Sequence, residues 1–416
     1  MFNSFFLAGF ECATGYNKHG DRIDQIVATG HDKHLDADYQ LLTGAGIRAA
    51  REPIRWPLVD LGRGRYDFSS VEPFVEAARR HNIQVIWDLF HYGYPDGVNL
   101  LSEDFPRRFA DYCYAAARYI ADRTDGTCFF TPVNEPSFFS HAGGESGLFA
   151  PYLTGRGWDL KVALCRATIE GINAIWAAAP GSRIVNADPL CHVALPQNKP
   201  EFIEEAIDFN DRLVYQAWNI IGGLLLPELG GSRAHLDIVG INYYWTNQWE
   251  WRVEPEAWGP TGYWLPPLSR DDPRYVSLSQ LIRNVHGFYG GDVMITETSH
   301  VGENRADWLR YVARESEDAL KHGVPLRGVC LYPILGMPEW HQPDEWTHMG
   351  LWGPEHHGQA IQEAAFRRVP HTPMLDALRD ARHLDKLGKQ TALLDALHDE
   401  DELWEAVRPW EPAAVK

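Results

Sequence analysis

The chain has 416 residues, a length that a single α/β barrel can reach without a second domain. Hydrophobic residues make up 45% and charged residues 23%, as in globular proteins with a sizeable core. Acidic residues outnumber basic ones by 57 to 38, and the formal charge of −19 disfavours binding to nucleic acid or to anionic lipid headgroups.

The expected compartment follows from the cysteines and the N-terminus. The six cysteines are scattered without a Cys-x-x-Cys pair, which favours a reducing environment. The first ten residues, MFNSFFLAGF, lack the basic region and the long apolar segment of a signal peptide. No run reaches the roughly 18 uninterrupted apolar residues of a membrane span. We therefore expect a cytoplasmic protein with no membrane segment.

Short apolar runs alternate with amphipathic stretches along most of the chain, which indicates parallel strands joined by crossover helices. The predicted strands are residues 4–10, 46–51, 84–90, 127–134, 183–187, 237–242, 292–297 and 327–332, and predicted helices include 71–81, 105–123, 160–179 and 306–322. Eight strands in this alternation predict a (β/α)8 TIM barrel. A doubly wound open sheet is the alternative, but the turn after the first strand, Gly9-Phe10-Glu11-Cys12, is not a Gly-rich phosphate turn.

Two further segments stand out. Residues 245–280 contain Trp245, Trp249, Trp251, Trp258 and Trp264, and a connection of this length is usually functional. In a barrel it lies on the C-terminal face, where substrates bind. Residues 1–370 are therefore predicted to form the catalytic barrel. Residues 371–416, with helices at 374–387 and 389–404, are predicted to form a C-terminal extension packed on it.

Two predicted strands end in carboxylates. Glu135 follows the fourth strand and Glu297 ends the seventh, and a carboxylate at the tip of an apolar strand is costly to bury without a role or a partner. Glycosidic cleavage requires two such groups, about 5–5.5 Å apart for retention of configuration and about 6.5–9.5 Å apart for inversion. Alone, Glu135 could equally be a helix-start carboxylate favoured by the helix dipole, so the pair carries the hypothesis.

The residues around both glutamates resemble motifs of a known family. Asn134-Glu135-Pro136 is similar to the acid/base motif of the glycoside hydrolase clan whose catalytic glutamates follow barrel strands four and seven. Within that clan, family 1, with its β-glucosidases and β-galactosidases, is the most similar. The other likenesses, in the family's order, are residues 50–57, His91-Tyr92, Gly-Ile-Asn-Tyr-Tyr at 240–244, Ile-Thr-Glu-Thr-Ser at 295–299, and Glu339-Trp340. The resemblance as a whole runs from about residue 5 to residue 353.

This resemblance implies a role for each matched residue. Glu135 would be general acid and then general base, and Glu297 the nucleophile that forms a glycosyl-enzyme. Arg51 would hold Glu297 ionised, and Tyr244 would donate a hydrogen bond to it. Asn134 would contact the sugar 2-hydroxyl, where a bond that strengthens in the transition state is most useful.

The remaining matches would bind the glycone, which is the sugar on the non-reducing side of the bond. His91 and Glu339 would bind ring hydroxyls, Trp340 would stack or hydrogen-bond, and Asn242 lies at the same mouth. Tyr332 replaces the Trp at the floor of the family's sugar pocket. The family's first-strand glutamine aligns with Tyr16, so its contact is either lost or moved to Glu11. The nucleophile motif has also lost its Asn-Gly.

The resemblance thus implies a retaining β-glycosidase of the β-glucosidase type that removes terminal sugars from small glycosides or oligosaccharides without a cofactor. A transglycosylase with the same glutamates and an inactive carbohydrate-binding barrel are alternatives, although both glutamates are present. An aldolase or amidohydrolase would need a Schiff-base lysine or a His-metal cluster, and the sequence has no zinc pattern. We expect no metal site.

Overall fold

Eight parallel strands close into a barrel in the computed structural model, which describes residues 2–252, 256–258, 262–354 and 367–391. The strands are β1 (Phe6–Gly9), β2 (Ala49–Pro53), β3 (Gln84–Asp88), β4 (Phe129–Thr131), β5 (Arg183–Pro189), β6 (Ile238–Asn242), β7 (Asp292–Thr298) and β8 (Leu326–Leu331). Each strand pairs in parallel with its neighbours in the chain, and β8 pairs with β1. The predicted (β/α)8 barrel is confirmed.

Helices cover the outside of this barrel. They are α1 (His31–Gly44), α2 (Glu72–His81), α3 (Phe105–Ala121), α4 (Gly157–Ala178), α5 (Gln216–Ile221), α6 (Leu278–Tyr289), α7 (Arg305–Lys321) and α8 (Thr372–Asp380). Local signals fix several ends: the Ser277 hydroxyl accepts a hydrogen bond from the Gln280 N–H at the start of α6, and Asn82 ends α2 in the left-handed conformation.

The strands are apolar on both faces because the interior and the helix layer both bury them. In β3, Ile86 points into the barrel, where it packs with residues such as Met294 of β7. Val85 and Trp87 alternate with it and pack in the outer layer against the helices. The polar residues that end the strands are therefore carried to one rim of the barrel, at the carboxyl ends of the strands.

The predicted strands and the four predicted helices lie within three residues of the observed bounds. The largest strand errors are three residues, at the start of β2, predicted at residue 46 and observed at Ala49, and at the end of β4, predicted at residue 134 and observed at Thr131. Pro132 follows, and it has no N–H with which to continue the strand ladder.

Additional elements occupy the connections. Short helices and turns are Gln25–Ala28, Trp56–Val59, Pro136–Phe139, Ser140–Glu145, Pro200–Phe202, Ile203–Asp211, Leu213–Tyr215, Pro227–Leu229, Arg233–His235 and Gly302–Asn304. Strand pairs form between His192–Ala194 and Gln248–Glu250, Glu256–Trp258 and Gly262–Trp264, Met337–Pro338 and Trp346–Thr347, and Trp352–Pro354 and Arg368–Pro370. The connection after β6, predicted as a loop, is therefore partly paired.

The C-terminal segment packs on the barrel over its described part. After α8, residues 383–391 are helical, and the Asp385 carboxylate accepts a hydrogen bond from the Phe5 N–H at 2.7 Å. The predicted helix at 389–404 lies mostly outside the described residues, and the division at residue 370 stays a prediction. Over the described ranges, none of the helices has the length and apolar character needed to span a bilayer.

Candidate active site

A cavity of about 1100 Å³ opens at the carboxyl ends of the barrel strands. Six of the ten predicted site residues line it: His91, Glu135, Tyr244, Glu297, Glu339 and Trp340. The other four, Arg51, Asn134, Asn242 and Tyr332, are buried among the lining residues and contact them directly. All ten predicted residues are thus gathered at one site.

The Glu297 carboxylate is bound through both of its oxygens. Oε1 accepts a hydrogen bond from Arg51 Nη1 at 2.6 Å, and Oε2 accepts one from the Tyr244 hydroxyl at 2.9 Å. Glu297 is one residue from the rim end of β7 and Arg51 is the central residue of β2, so the barrel strands themselves bring the two charges together. The bonds leave the carboxylate in one orientation.

Arg51 organises the floor of the cavity. Its Nη2 donates to Asp88 Oδ2 at 2.5 Å and to Asn134 Oδ1 at 2.7 Å. Burial lowers the pKa of Arg51, but the carboxylates of Asp88 and Glu297 outweigh it, and the net effect is a pKa well above the usual value. The guanidinium is therefore a fixed cation that joins β2, β3, β7 and the loop after β4.

Glu135 has a different environment from Glu297. Its Oε2 accepts a hydrogen bond from the Tyr92 hydroxyl at 2.5 Å and its Oε1 one from Asn242 Nδ2 at 2.9 Å. Burial and the nearby charge of Glu297 raise the pKa of Glu135 to about 8. Its backbone has a φ of 48°, which is unusual for a residue other than glycine and common at functional sites.

Asn242 is oriented by a neighbour on β7. The Thr296 hydroxyl donates to Asn242 Oδ1 at 2.6 Å, so the amide nitrogen is the atom that faces Glu135. The predicted site residue Asn242 therefore contacts the acidic side chain itself. Thr296 was not among the predicted residues, although it precedes Glu297 in the same motif.

His91 lies in a second cluster of polar side chains. Its Nδ1 is 2.9 Å from Asp88 Oδ2, and its Nε2 is 3.1 Å from Asn134 Nδ2 and 3.4 Å from Glu11 Oε1. Burial raises the pKa of Glu11. Of the two positions considered for the family's glutamine, Glu11 lines the cavity, whereas the Tyr16 hydroxyl donates to Asp96.

Tyr332, the residue after β8, contacts both the Arg51 network and the cluster around His91. Its ring stacks on His91 with centroids 5.9 Å apart and planes 7° apart, and the Arg51 guanidinium carbon lies 5.2 Å from the ring centroid. Its hydroxyl donates to Glu11 Oε1 at 3.3 Å. A Tyr in this position thus adds a hydroxyl that holds Glu11.

Glu339 and Trp340, in the connection after β8, approach the cavity differently. Glu339 Oε2 accepts hydrogen bonds from the N–H groups of His341 and Gln342, at 2.6 and 2.7 Å, while its side chain lines the cavity. The Trp340 ring packs edge-on against Tyr92, with centroids 5.8 Å apart. Its Nε1 is buried with no hydrogen-bond partner among the described residues.

Sequence reasoning missed Asp88 and Tyr92. Asp88 ends β3, so it is also a carboxylate at the tip of an apolar strand, the signal that identified Glu135. Tyr92 adjoins the predicted His91, has a φ of 65°, and bonds Glu135 through its hydroxyl. The positions of Asp88 and Tyr92 in the sequence were compatible with a role in the site, but only their contacts in the structure show it.

One set of three metal-type ligands is present in the described part of the chain. Cys12, Asp88 and His91 place one ligand atom each within 4.8 Å of one another. The Arg51 guanidinium already bonds Asp88, and Cys12 Sγ donates to the Phe10 carbonyl. A cation would compete with a fixed guanidinium there, so this set reads as part of the Arg51 network.

Comparison with curated proteins gives similar enzymes, while no family model matches the chain. The chain is 25% identical over 369 residues to the thermostable β-glucosidase B of Thermobispora bispora, covering 76% of this chain and 74% of that protein. It is 20% identical over 389 residues to β-glucosidase A of Thermotoga maritima, covering 80% and 83%.

Solved structures give the same fold. The family 1 β-glucosidase from Thermotoga maritima superposes with a TM-score of 0.66 at 18% identity, covering 89% of this chain and 92% of that one. The β-glucosidase from the same organism in complex with glucoimidazole gives 0.69 at 17% identity, covering 90% and 93%. The resemblance stated from the motifs is thereby confirmed.

Proposed function

We infer that this chain is a retaining β-glycosidase of the family 1 type, with Glu297 as nucleophile and Glu135 as acid and base. One observation carries the proposal: two carboxyl groups at one mouth have opposite environments. Glu297 is paired with a buried cation, whereas Glu135 is held by neutral donors and has a pKa of about 8. Two carboxyl groups in such different environments are typical of a general acid and a nucleophile.

In the first step, a Glu297 oxygen attacks the anomeric carbon while the bond from that carbon to the leaving oxygen breaks. Glu135 transfers its proton to the leaving oxygen, so the aglycone departs as an alcohol and the sugar becomes an ester of Glu297. Protonated Glu135 suits this step because its raised pKa keeps the proton near neutral pH.

In the second step, Glu135 is a carboxylate and removes a proton from water. The water oxygen forms the new bond to the anomeric carbon, and the bond to Glu297 breaks, which restores both glutamates. Two inversions at the same carbon give net retention.

The residues around the two glutamates fit this two-step reaction. Arg51 and Tyr244 fix both oxygens of Glu297, so one carboxylate orientation is available for attack. Asn134 is fixed by Arg51 and bonds His91 and the Tyr92 hydroxyl that holds Glu135, which suits a contact with the sugar 2-hydroxyl. Asn242 orients Glu135.

We assign the glycone contacts to the polar part of the cavity. His91 and Glu339 bind ring hydroxyls, and Glu11 joins them in place of the family's glutamine. The Trp340 indole N–H, which is buried without a partner among the described residues, donates to a further hydroxyl. Tyr332 forms the floor and holds Glu11.

The two alternatives have less support. An inactive binding barrel would have no use for a carboxyl group held in a strained backbone with a raised pKa, as Glu135 is. Nothing in the cavity specifically favours a sugar acceptor over water in the second step.

We propose a reducing, cytoplasmic location on separate grounds, because five of the six cysteines are buried free thiols that pack as hydrophobic residues.

Hydrolysis of a panel of aryl β-glycosides, with proton NMR of the first anomer released, tests the proposal. We expect the β-anomer from at least one sugar, and release of the α-anomer would overturn retention. Glu297→Gln and Glu135→Gln should each lower kcat by several orders of magnitude, whereas Glu228→Gln, on the surface, should not change it.

A further inference from the structure

The glycone residues Glu339 and Trp340 lie in the connection after β8 rather than on a barrel strand. Bonds within this connection shape it locally: the Glu339 N–H donates to the Glu345 carbonyl at 2.7 Å, and the Glu339 carboxylate accepts from two backbone N–H groups of the same segment. These bonds do not fix the segment relative to the two reacting glutamates. Contacts with other parts of the chain must therefore set where both side chains lie.

The connection after β1 supplies such contacts on both sides of Glu339. Gln25 Nε2 donates to the Pro338 carbonyl at 3.1 Å, and Asn17 Nδ2 donates to the Trp340 carbonyl at 3.1 Å. The residue before Glu339 and the residue after it are thus each held by a side-chain amide from the same connection. A backbone held at both neighbours restricts the direction in which the Glu339 side chain enters the cavity.

A third bond lies beside these two. The Lys18 N–H donates to His341 Nδ1 at 3.3 Å. Burial lowers the pKa of His341 to about 4, so the ring is neutral at higher pH and one of its nitrogens can accept this bond. The Phe149 ring packs on both Trp340 and His341, with centroids 5.5 and 4.9 Å apart. The segment is therefore bonded to one connection and packed against another.

The amide of Asn17 has a fixed orientation. Its Oδ1 accepts hydrogen bonds from the N–H groups of His19 and Asp21, at 2.9 and 3.0 Å, so its nitrogen is the atom that faces Trp340. Gly20, with a φ of 82°, allows this tight turn, and its N–H donates to the Asn17 carbonyl. Asn17 is fully buried. One side chain thus closes the turn and holds the segment after β8.

Gln25 is also buried, at the start of the short helix Gln25–Ala28. Its Oε1 has no hydrogen-bond partner among the described residues. Leaving a buried amide oxygen unpaired is unfavourable, and an apolar side chain of the same shape would avoid it. The amide at this position therefore points to a requirement for its donor, which bonds Pro338.

We propose that Asn17 and Gln25 are positioning residues for the glycone. They hold the backbone on both sides of Glu339, and so they set where its carboxylate and the Trp340 indole meet the sugar. This inference rests on the proposed glycosidase function. Neither Asn17 nor Gln25 lines the cavity, so their effect on the reaction passes through Glu339 and Trp340.

The variant Asn17→Asp tests the inference. It keeps an oxygen for both N–H groups of the turn, but at about pH 7, where a carboxyl is normally ionised, it has no proton to donate to the Trp340 carbonyl. We expect kcat/KM for the aryl β-glycoside that the panel identifies to fall about 10- to 100-fold, because a displacement of about 1 Å at a binding group is sufficient for this. Asn304→Asp is the matched control, at an exposed asparagine that makes no capping bond to α7. It should leave kcat/KM within about twofold.

A double-mutant cycle with Trp340→Phe separates positioning from general stability. Trp340→Phe keeps an aromatic ring but removes the indole N–H that is assigned to a sugar hydroxyl. If Asn17 acts through Trp340, the loss caused by Asn17→Asp should be several-fold smaller in the Trp340→Phe background than in the wild type. A purely structural role would give the same loss in both backgrounds. Gln25→Met, which removes the donor to Pro338 without adding a charge, enters the same cycle if Asn17→Asp does not fold.

The outcomes separate this inference from the proposed function. If the wild type cleaved no glycoside of the panel, the glycosidase function itself would be overturned. If the wild type is active, a loss in Asn17→Asp no larger than in Asn304→Asp would overturn the positioning role and leave the glycosidase in place. Equal losses with and without Trp340→Phe, for Asn17→Asp or for its substitute Gln25→Met, would overturn the positioning role as well.

Discussion

Two buried charge clusters lie on opposite faces of β2. Arg51 points into the barrel and bonds Glu297 and Asp88, while the next residue, Glu52, points outward and bonds His31. Alternation along one strand thus separates a cluster that opens on the cavity from one enclosed beneath α1.

The outer cluster is bonded by its own members, apart from Glu52 Oε2, which is buried without a hydrogen-bond partner among the described residues. His31 bonds Asp38 at 2.8 Å and Glu52 at 3.0 Å, and Arg368 bonds both oxygens of Asp38 at 2.8 Å. The Phe10 ring stacks on His31 with centroids 3.6 Å apart. The inner cluster instead leaves Glu297 facing a cavity. Equal burial of charge therefore serves chemistry in one case and the joining of β2, α1 and the strand Arg368–Pro370 in the other.

Replacing the cation in each cluster gives the sharpest test of this difference. Arg51→Met should lower kcat/KM by about 10³-fold or more, because Glu297 and Asn134 lose their common donor. Arg368→Met should leave kcat/KM within about twofold. Both variants should also lose unfolding free energy, by up to about 3–5 kcal/mol, because each removes a cation from a buried carboxylate: Glu297 keeps only the Tyr244 hydroxyl, and Asp38 keeps His31.

Kinetics and thermal unfolding on the same samples make this comparison. Arg51→Lys is the second variant at the inner site, since it keeps the charge but cannot bond three acceptors in the planar geometry of a guanidinium. A loss of activity in Arg368→Met as large as in Arg51→Met would show that the two clusters are not separate in function.

The pH dependence of kcat/KM is the next test of the inner cluster. Glu135 must be protonated in the first step, and its pKa is about 8, so kcat/KM should fall about tenfold per pH unit above roughly pH 8. A dinitrophenyl glycoside, whose leaving group needs no proton, should lack this basic limb. Persistence of the limb with that substrate would assign it to another group.

The outer cluster should respond to pH through stability instead. Burial lowers the pKa of His31, but the Glu52 charge and the bonds to Asp38 and Glu52 outweigh it, so the folded-state pKa is raised. The stabilisation is then fully present below the unfolded pKa of about 6.5 and is lost as the pH rises through the folded value.

His31→Gln should therefore lose about 1–3 kcal/mol of unfolding free energy at about pH 6 and keep the wild-type kcat/KM. The difference in Tm between wild type and variant should narrow as the pH rises. A Tm difference that grows with pH would contradict a charged His31 in the folded protein.

The sequence predicted the inner cluster better than the outer one, for a physical reason. Parallel strands end at one rim, so polar residues at strand ends, such as Glu297 and Asn242, can be placed together from the pattern alone. The outer cluster joins His31 in a helix to Arg368 more than 300 residues later, and no local pattern encodes that pairing. Even at the rim, Asp88 was missed because it matched none of the motifs.

The contact between the connections after β5 and β6 was unpredictable for a similar reason. Trp249 and Trp251 were recognised as belonging to a connection on the substrate face, but their packing partner was not. They pack on Phe209, which lies in the preceding connection and meets them through the pairing of His192–Ala194 with Gln248–Glu250. Contacts between two loops leave no periodicity in either one.

The smallest expected effect tests whether the inner cluster extends to β5. Asp188 Oδ1 accepts a hydrogen bond from the Ser137 N–H at 2.9 Å, and burial raises the pKa of Asp188 to about 6. After burial and Glu297, its charge is a further cause of the raised pKa of Glu135. Asp188→Asn keeps an acceptor for Ser137 but removes the charge. The basic limb of kcat/KM should therefore move to lower pH, by less than about half a unit.

The control is Asp125→Asn, at an exposed aspartate in the loop before β4, and it should leave the limb in place. Asp188 is ionised at pH 8, where the limb lies, so its charge acts on Glu135 in the pH range being measured. An unchanged limb in Asp188→Asn, with unchanged Tm, would mean that the charge is screened at Glu135. The electrostatic tuning of Glu135 would then end at Glu297 and would not include β5.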